Sequence, residues 1–230
     1  MIRKAFPALA ALALLIVPTI RLAAQGMDDP NNKVAGGGVA TGWHGRTDVD
    51  RRSNAAPSLT EVKFVAMGDG FHATMGPAAI FWRDQDVANG NYHIVATFTQ
   101  TKAPMHPEAY GLFLGGSGLD GKNQRYTYFE VRQDGKFLVK RRIGDSTAVV
   151  TTGERGGWVA NDAVAKADSA TGKATNELSV LVKDGTVTFS VNGKAVYTAK
   201  ASDLDVAGIV GYRVNHNLDV HLSAIGIHKV

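Results

Sequence analysis

The sequence predicts an all-β protein, a sandwich or barrel, with a two-sheet antiparallel sandwich favoured. Apolar and polar residues alternate along many short segments, and tight-turn dipeptides separate these segments. No long stretch of the chain has helical periodicity. About a dozen strand candidates on a single core favour two curved sheets packed face to face.

The N-terminal segment, residues 1–24, has the order of regions found in a secretory signal peptide. A basic start at Arg3 and Lys4 precedes the apolar run 8–17, and small residues suit cleavage after Ala24. The run is shorter than the ~20 residues that a membrane-spanning helix needs. We therefore expect an exported protein, periplasmic or extracellular, with no membrane span after cleavage.

The composition of the chain excludes several classes of binding partner and of functional site. Cleavage leaves 206 of the 230 residues, and three of the 25 basic residues are removed, so 22 remain against 21 acidic residues. A net charge of +1 gives no basic surface for nucleic acid, which we do not expect as a partner. The chain has no cysteine, which excludes disulfides, thiolate metal sites and cysteine nucleophiles.

The processed chain divides into a short N-terminal segment and one domain. Residues 25–41 are rich in Gly, Asn and Asp and contain few large apolar groups, so we expect a flexible segment. Residues 42–230 contain the strand pattern and are predicted to form the β-sandwich domain. Within them, the polar region 161–175 is either a long loop or a short helix.

The strand pattern is clearest in residues 92–98, where Tyr92, Ile94, Ala96 and Phe98 fall on one face. The same alternation occurs in Val62–Ala66, in Leu112–Leu114 and in Leu218–Leu222.

Turn dipeptides join these strands into hairpins. Asp184-Gly185 predicts a two-residue turn. That turn pairs Val182 with Val187, Val180 with Phe189, and Leu178 with Val191, so that apolar side chains meet on one face. Asn192-Gly193 begins a second reversal. Asp134-Gly135 predicts a third, for which two-residue and three-residue loops both remain open.

Five segments carry a resemblance to a known superfamily: Gly42–Arg46, Tyr126–Arg132, Lys140–Arg142, Val191–Gly193 and Gly211–Val220. Over residues 42–230 the chain resembles the concanavalin A-like lectin and glucanase superfamily, with its laminin-G-like jelly roll. More narrowly, it is similar to bacterial exported 3-keto-disaccharide hydrolase-like proteins. The resemblance implies a two-sheet jelly roll in contact with carbohydrate.

The resemblance assigns no catalytic residue. Glucanases of this fold carry a Glu-x-Asp-x-x-Glu strand, whereas the nearest stretch here, Glu130–Asp134, lacks that spacing and enters a turn. Glu130 and Asp219 are nevertheless the carboxylates that lie within well-patterned strands. They are candidates for an acid/base pair if their strands are neighbours, and the alternative is that each faces solvent or pairs with an arginine.

Two rows of side chains are candidates for ligand binding. Tyr126, Tyr128, Glu130 and Arg132 share the strand face opposite the core. Tyrosine rings offer flat apolar faces to sugar rings, and the charged groups can bond hydroxyls. The basic residues around this hairpin are Arg132, Lys140, Arg141 and Arg142. They either meet an acidic glycan or a phosphate, or guard a strand edge and form ion pairs, with Glu130 as the expected partner.

The second row comprises Asn215, Asn217, Asp219 and His221, which share a face if the strand is continuous. Amide, carboxylate and imidazole groups suit sugar hydroxyls, and the alternative is the polar outer face of an edge strand. Asp219 and His221 are also possible metal ligands. Two ligands at one spacing do not define a metal site, so we assign none.

These features predict an exported carbohydrate-binding β-sandwich with no demonstrated catalysis, with a saccharide or glycan as its partner, and they leave open whether it is an enzyme. One alternative is a glycoside hydrolase or 3-keto-glycoside-cleaving enzyme of the same fold. A second alternative is a structural or adhesive envelope protein. No cofactor is expected, although Ca²⁺ remains possible, and the oligomeric state stays open. The predicted ligand-binding residues are Tyr126, Tyr128, Glu130, Arg132, Asn215, Asn217 and Asp219.

Overall fold

The computed structural model describes residues 31–49 and 55–230, and the predicted signal peptide lies outside these ranges. The described chain is all-β, with two curled antiparallel sheets packed as a jelly-roll sandwich, as predicted. Three short 3₁₀ turns are its only helical elements. None of the described helical segments is long and apolar enough to cross a membrane.

Seventeen strands lie within the described residues. They are β1 Gly38–Val39, β2 His44–Thr47, β3 Val62–Met67, β4 Gly70–Met75, β5 Ala79–Ala88, β6 Tyr92–Gln100, β7 Ala109–Ser117, β8 Arg125–Arg132, β9 Lys136–Ile143, β10 Ser146–Val149, β11 Val159–Ala160, β12 Ala174–Lys183, β13 Thr186–Val191, β14 Lys194–Lys200, β15 Gly208–Val214, β16 Asp219–Ser223 and β17 Gly226–Lys229.

The strands are divided between two sheets. The nine-stranded sheet has the order β1-β3-β4-β16-β6-β12-β13-β14, with β17 also pairing with β6. The eight-stranded sheet has the order β10-β9-β8-β7-β15-β5-β2, with β11 also pairing with β9. Among the described strands, all pairs are antiparallel except the short β1–β3 pair. The consecutive strands β15 and β16 therefore belong to different sheets, and the chain crosses the sandwich between them.

Aromatic pairs connect the two sheets across the core. Phe64 of β3 stacks on Phe81 of β5 with ring centroids 4.4 Å apart, and Phe129 of β8 contacts Phe189 of β13 at 5.2 Å. All four side chains are fully buried. Such offset aromatic contacts add to the free energy gained from burying their area, so the two layers are held in register by the core.

The hairpin predicted at Asp184-Gly185 is confirmed. The observed register pairs Val182 with Val187, Val180 with Phe189, and Leu178 with Val191. Asp184 and Gly185 have φ angles of 48° and 78°, the left-handed conformation that a primed two-residue turn requires.

The Asp134-Gly135 turn is a three-residue loop, since Arg132 pairs with Lys136 across it. Gly135 closes the loop in the left-handed conformation, with φ of 85° and its N–H donating to the Arg132 carbonyl. This register places Leu138 directly opposite Glu130. It therefore determines which side chains of β9 share the outer face with β8.

The sandwich begins before residue 42. Residues 38–39 pair with β3, and Val39 and Ala40 pack against the core. The C-terminal part of the predicted flexible segment 25–41 is thus attached to the nine-stranded sheet, while residues 25–30 lie outside the described residues.

The polar region 161–175 is a loop of turns that leads into β12, which settles the choice left open by the sequence. The buried Asn176 side chain anchors this loop, because its Oδ1 accepts from Ala165 N and its Nδ2 donates to the Ala165 carbonyl. It also donates to the Tyr110 hydroxyl on the opposite sheet.

Candidate functional site

The face of the eight-stranded sheet that points away from the core carries a cluster of charged and aromatic residues. Phe129 and Val131 of β8 join the core, so their neighbours Tyr128, Glu130 and Arg132 point outward. The predicted sharing of a face by the β8 side chains is therefore correct. Tyr126 lies on the same face but is buried, packing against Phe113 and Tyr128.

A cavity of about 570 Å³ opens on this face, and we call it the Glu130 cavity. Strands β7, β8, β9, β10 and β15 and the loops beside them supply its walls. It is lined by Asp48, Val49, Pro107, Glu108, Ala109, Gln124, Tyr128, Glu130, Arg132, Leu138, Lys140, Arg142, Asp145, Thr147, Trp158, Arg213 and Asn215.

Glu130 and Arg213 form the floor of the cavity. Gly111 pairs with Glu130 on one side and with Arg213 on the other, so a residue without a side chain separates them. The Glu130 Oε1 and Arg213 Nε atoms are 3.6 Å apart across it, beyond hydrogen-bond distance. Both residues are almost completely buried, with exposed fractions of 2% and 6%.

Arg213 is bound instead by Asp48, which follows β2. Its Nη1 and Nη2 donate to the two Asp48 carboxylate oxygens at 2.9 and 2.6 Å. Arg142 Nη2 donates to the same carboxylate at 2.6 Å. Burial opposes ionisation of Asp48, but the two arginines outweigh it and hold its pKa below the ordinary value.

Glu130 and Glu108 are carboxyl groups whose pKa values are shifted strongly upward. Burial raises the pKa of Glu130 to about 7, although Arg213 and Lys140 act in the opposite direction. Burial and the neighbouring Glu130 raise the pKa of Glu108 to about 7. A hydrogen bond from Asn215 and the nearby arginines act in the opposite direction and lower it. Two interacting carboxyls with raised pKa values in one cavity retain a proton near neutral pH.

Three buried polar atoms in the cavity have no hydrogen-bond partner among the described residues. They are Glu130 Oε1, Arg213 Nε and Asn215 Oδ1. Buried polar groups are nearly always paired in folded proteins, because an unpaired group loses its hydration without compensation. An unpaired acceptor or donor on a cavity wall can form a hydrogen bond with a polar ligand.

Aromatic faces flank these polar groups. The Arg132 guanidinium lies over the half-buried Trp158 ring, 4.5 Å from its centroid, and the Arg213 guanidinium lies 5.7 Å from the Tyr128 centroid. Arg132 is also held by Asp134, to which its Nε donates at 2.8 Å. The cation–π contacts and the ion pair fix Arg132 and Trp158 together at the rim of the cavity.

The predicted Glu130–Asp219 pair does not form, because β8 and β16 lie in different sheets. Asp219 is on the outer face of the nine-stranded sheet. There it accepts hydrogen bonds from the Thr101 hydroxyl and contacts His72 Nε2 and Lys102 Nζ at 3.2 and 3.3 Å. Burial opposes its ionisation, but these partners keep the Asp219 pKa below its ordinary value.

The prediction that Asn215, Asn217, Asp219 and His221 line one strand face is also wrong. The chain turns between β15 and β16, with Asn217 in the left-handed conformation at φ 59°. Asn215 therefore remains at the Glu130 cavity, whereas Asp219 and His221 lie on the other sheet. Asn217 is buried, and its Oδ1 accepts from the Asn32 backbone.

Arg132 and Arg141 of the β8–β9 hairpin pair with aspartates rather than with Glu130, which was their expected partner. Arg132 pairs with Asp134 at 2.6 Å, and Arg141 pairs with Asp205 at 3.0 Å. The predicted ion-pair role is therefore observed for these arginines with a different partner, whereas the charge of Lys140 does act on Glu130.

Sequence reasoning missed Asp48, Glu108 and Arg213 as parts of the site. Arg213 had a signal, since it alternates with the core residues Tyr212 and Val214 and must therefore point outward. Asp48 and Glu108 lie next to strand ends, where alternation gives no information. Among the described residues, no group of three or more His, Asp or Glu side chains could hold a metal ion.

Comparison with known proteins supports the fold. No protein-family model and no curated protein matches the sequence. Among solved structures, carbohydrate-binding module CBM66 from Bacillus subtilis superposes with a TM-score of 0.54 at 11% identity, covering 86% of this chain and 100% of the module. An alginate lyase A1-II′ of polysaccharide lyase family 7 gives 0.47 at 12% identity, covering 81% and 94%.

Sheep galectin-11 gives a TM-score of 0.45 at 15% identity, covering 70% of this chain and 99% of the galectin. At these identities the likenesses concern the fold alone. The narrower resemblance to 3-keto-disaccharide hydrolase-like proteins has no support from a family model.

The raised pKa of Glu130 predicts that stability depends on pH. Because the folded-state pKa of about 7 exceeds the ordinary value of 4.5, the folded protein binds more protons than the unfolded chain between these values. Glu130 should therefore contribute a fall of roughly 3 kcal/mol in the free energy of unfolding as pH rises from about 4.5 to 8, and Glu108, whose pKa is raised likewise, adds to this fall. Glu130→Gln, which mimics the protonated acid, should remove the Glu130 contribution and show a shallower fall in urea unfolding.

Glu177→Gln is the matched control, since Glu177 is exposed on the nine-stranded sheet. Its unfolding free energy should follow that of the parent protein at every pH. Parallel curves for Glu130→Gln and the parent protein would contradict the assignment of a buried protonated carboxyl.

Proposed function

We propose that this protein binds carbohydrate and that the Glu130 cavity is the saccharide site. The contacting groups are Tyr128, Glu130 and Arg132 from the predicted face, together with Trp158, Arg213 and Asn215. Tyr126 lies beneath the site as a supporting ring. Asn217 and Asp219 have no part in it, since both lie away from the cavity walls.

The unpartnered buried atoms carry this proposal. Glu130 Oε1, Arg213 Nε and Asn215 Oδ1 include both donor and acceptor capacity at a cavity wall. A sugar hydroxyl both donates and accepts, so adjacent hydroxyls of one ring can satisfy several such groups at once. A hydrocarbon ligand would instead leave each group unpaired, at a cost of about 1–3 kcal/mol per group.

The aromatic rim supports the same ligand class. Trp158 lines the cavity and remains half-exposed, so part of its ring can pack on the apolar face of a sugar ring. Tyr128 supplies a second ring deeper in the cavity. The structural likeness to CBM66, which is described as a carbohydrate-binding module, is compatible with this function but concerns the fold.

Affinity electrophoresis of the processed protein against neutral and acidic soluble polysaccharides tests the proposal. We expect retardation by at least one polysaccharide. Trp158→Ala should weaken that binding about tenfold or more, since a buried aromatic contact contributes on the order of 1–3 kcal/mol.

The control for location is His221→Ala, which alters the outer face of the nine-stranded sheet. It should leave the affinity unchanged. Loss of binding in His221→Ala with retention in Trp158→Ala would transfer the site to the other sheet. A folded protein that no polysaccharide retards would refute carbohydrate binding altogether.

We also propose that the protein acts outside the cytoplasm, on the basis of the signal-like segment 1–24. Expression of the full chain in a bacterial host should yield a processed protein in the periplasm or medium. Mass spectrometry of its N-terminus should find Gln25 as the first residue. Recovery of the unprocessed chain in the cytoplasm would contradict export.

Glycoside cleavage is a second candidate function, favoured by the presence of Glu108 and Glu130 in one cavity. Both carboxyls line one cavity, and each is placed where its pKa rises to about 7. A pair that retains one proton near neutral pH supplies an acid and a base together. In that reaction the base takes a proton from water, whose oxygen attacks the anomeric carbon. The acid protonates the departing glycosidic oxygen as its bond to carbon breaks.

Turnover of aryl glycosides and of a 3-keto-glycoside tests this second function. We expect Glu108→Gln and Glu130→Gln each to lower kcat at least a hundredfold. Polysaccharide binding should survive in both variants, because glutamine keeps the side-chain shape. Binding without turnover of any of these substrates would reject catalysis and retain the binding function.

A further inference from the structure

The outer face of the nine-stranded sheet holds a pair of histidines outside the Glu130 cavity. His72 of β4 and His221 of β16 are direct partners across the strands. Their Nδ1 atoms are 3.1 Å apart, and the two rings are inclined at 57° with centroids 4.5 Å apart. His72 is partly exposed, and His221 lines an open depression, so solvent ions can reach the pair.

We propose that His72 and His221 bind a divalent transition-metal cation of the Zn²⁺ or Cu²⁺ type through their Nδ1 atoms. The separation of the two nitrogens supports this assignment. Nitrogens ~2.1 Å from one ion are roughly 3.0 Å apart at a right angle and roughly 3.4 Å apart at a tetrahedral angle. The observed 3.1 Å lies within that range.

Asp219 is a positioning residue for this pair. Its Oδ1 is 3.2 Å from His72 Nε2, which places the ring proton on Nε2 and leaves the Nδ1 lone pair toward His221. A carboxylate on the remote nitrogen is the usual neighbour of a metal-binding histidine. Asp219 is itself held by Thr101 and Lys102, so the orientation of the His72 ring is set before any ion arrives.

The choice of cation follows from the ligand type. Imidazole nitrogen suits Zn²⁺, Cu²⁺ and Ni²⁺, whereas Mg²⁺ and Ca²⁺ prefer oxygen ligands. With only two protein ligands, the remaining positions belong to solvent or to a bound molecule, so we expect a site of moderate affinity. Among first-row ions, Cu²⁺ should bind more tightly than Zn²⁺.

Metal binding changes the tautomer of His221 but releases no net proton. Without metal, two facing lone pairs would repel, so His221 carries its proton on Nδ1 and donates it to His72 Nδ1. An ion bound to both Nδ1 atoms requires the His221 proton on Nε2 instead. Binding therefore forms two metal–nitrogen bonds and breaks the hydrogen bond between the two rings. The His221 proton moves from Nδ1 to Nε2 of the same ring.

Calorimetric titration of the untagged, processed protein with ZnCl₂, CuCl₂ and MgCl₂ tests the site. We expect one equivalent of Zn²⁺ or Cu²⁺ to bind, Mg²⁺ to give no signal, and the thermal midpoint to rise with Zn²⁺. His72→Ala and His221→Ala should each lower the affinity at least tenfold, and Asp219→Asn should lower it about 10- to 100-fold. Imidazole ¹⁵N spectra should show the His221 proton moving to Nε2 on adding Zn²⁺.

The matched control uses a second histidine pair on the same sheet. His93 and His228 also face each other across neighbouring strands, but their rings are stacked with centroids 6.2 Å apart. The double variant His93→Ala/His228→Ala should keep the full affinity. Absence of Zn²⁺ and Cu²⁺ binding, or binding that survives in His72→Ala and His221→Ala, would overturn the proposal.

Discussion

The carboxylate of Asp48 binds two buried arginines, and the outer face of the eight-stranded sheet depends on this ion cluster. Arg142 and Arg213 both direct their guanidinium groups to it at 2.6 Å. A buried guanidinium without a partner costs several kcal/mol, and the shared Asp48 carboxylate reduces that cost for both arginines. The cluster thereby allows charged side chains to lie against a sheet face without a hydrophobic cover.

The same cluster determines the state of Glu130. If Arg213 were directed to Glu130, its positive charge would stabilise the carboxylate and lower the pKa. The Nη atoms of Arg213 donate to Asp48, so the nearest Arg213 atom to Glu130 is Nε, 3.6 Å from Oε1. Glu130 is also shielded from solvent. Burial then dominates, and the carboxyl remains protonated at pH values where an exposed glutamate is ionised. The binding and catalytic functions proposed for the cavity both depend on this arrangement.

Alternation along single strands allowed much of the fold to be predicted from sequence. The Asp184-Gly185 hairpin has the predicted register because side-chain direction and turn type both enforce it. The outward face of β8 was predictable for the same reason. In contrast, the row 215–221 was misread, because alternation ends where Asn217 turns the chain from one sheet to the other.

The assembly of the site could not be predicted from local pattern. Asp48 and Arg213 are separated by 165 residues, and their contact depends on β2 and β15 both pairing with β5. Similarly, Glu108 lies just before β7 and reaches the cavity only because β7 runs between β8 and β15. Periodicity reports which side of a strand a residue occupies. It does not report which strands are neighbours, and the chemistry of this site is decided by neighbours.

The protonation state of Glu130 is therefore the most direct test of this account. Carbon-13 NMR of the labelled Glu130 carboxyl, followed from acid to alkaline pH, measures it at one atom. We expect a titration midpoint of about 7, with the carboxyl still protonated at mildly acidic pH. A midpoint at the ordinary value of 4.5 or lower would show that Arg213 stabilises the Glu130 carboxylate, and would contradict the assignment of that arginine to Asp48.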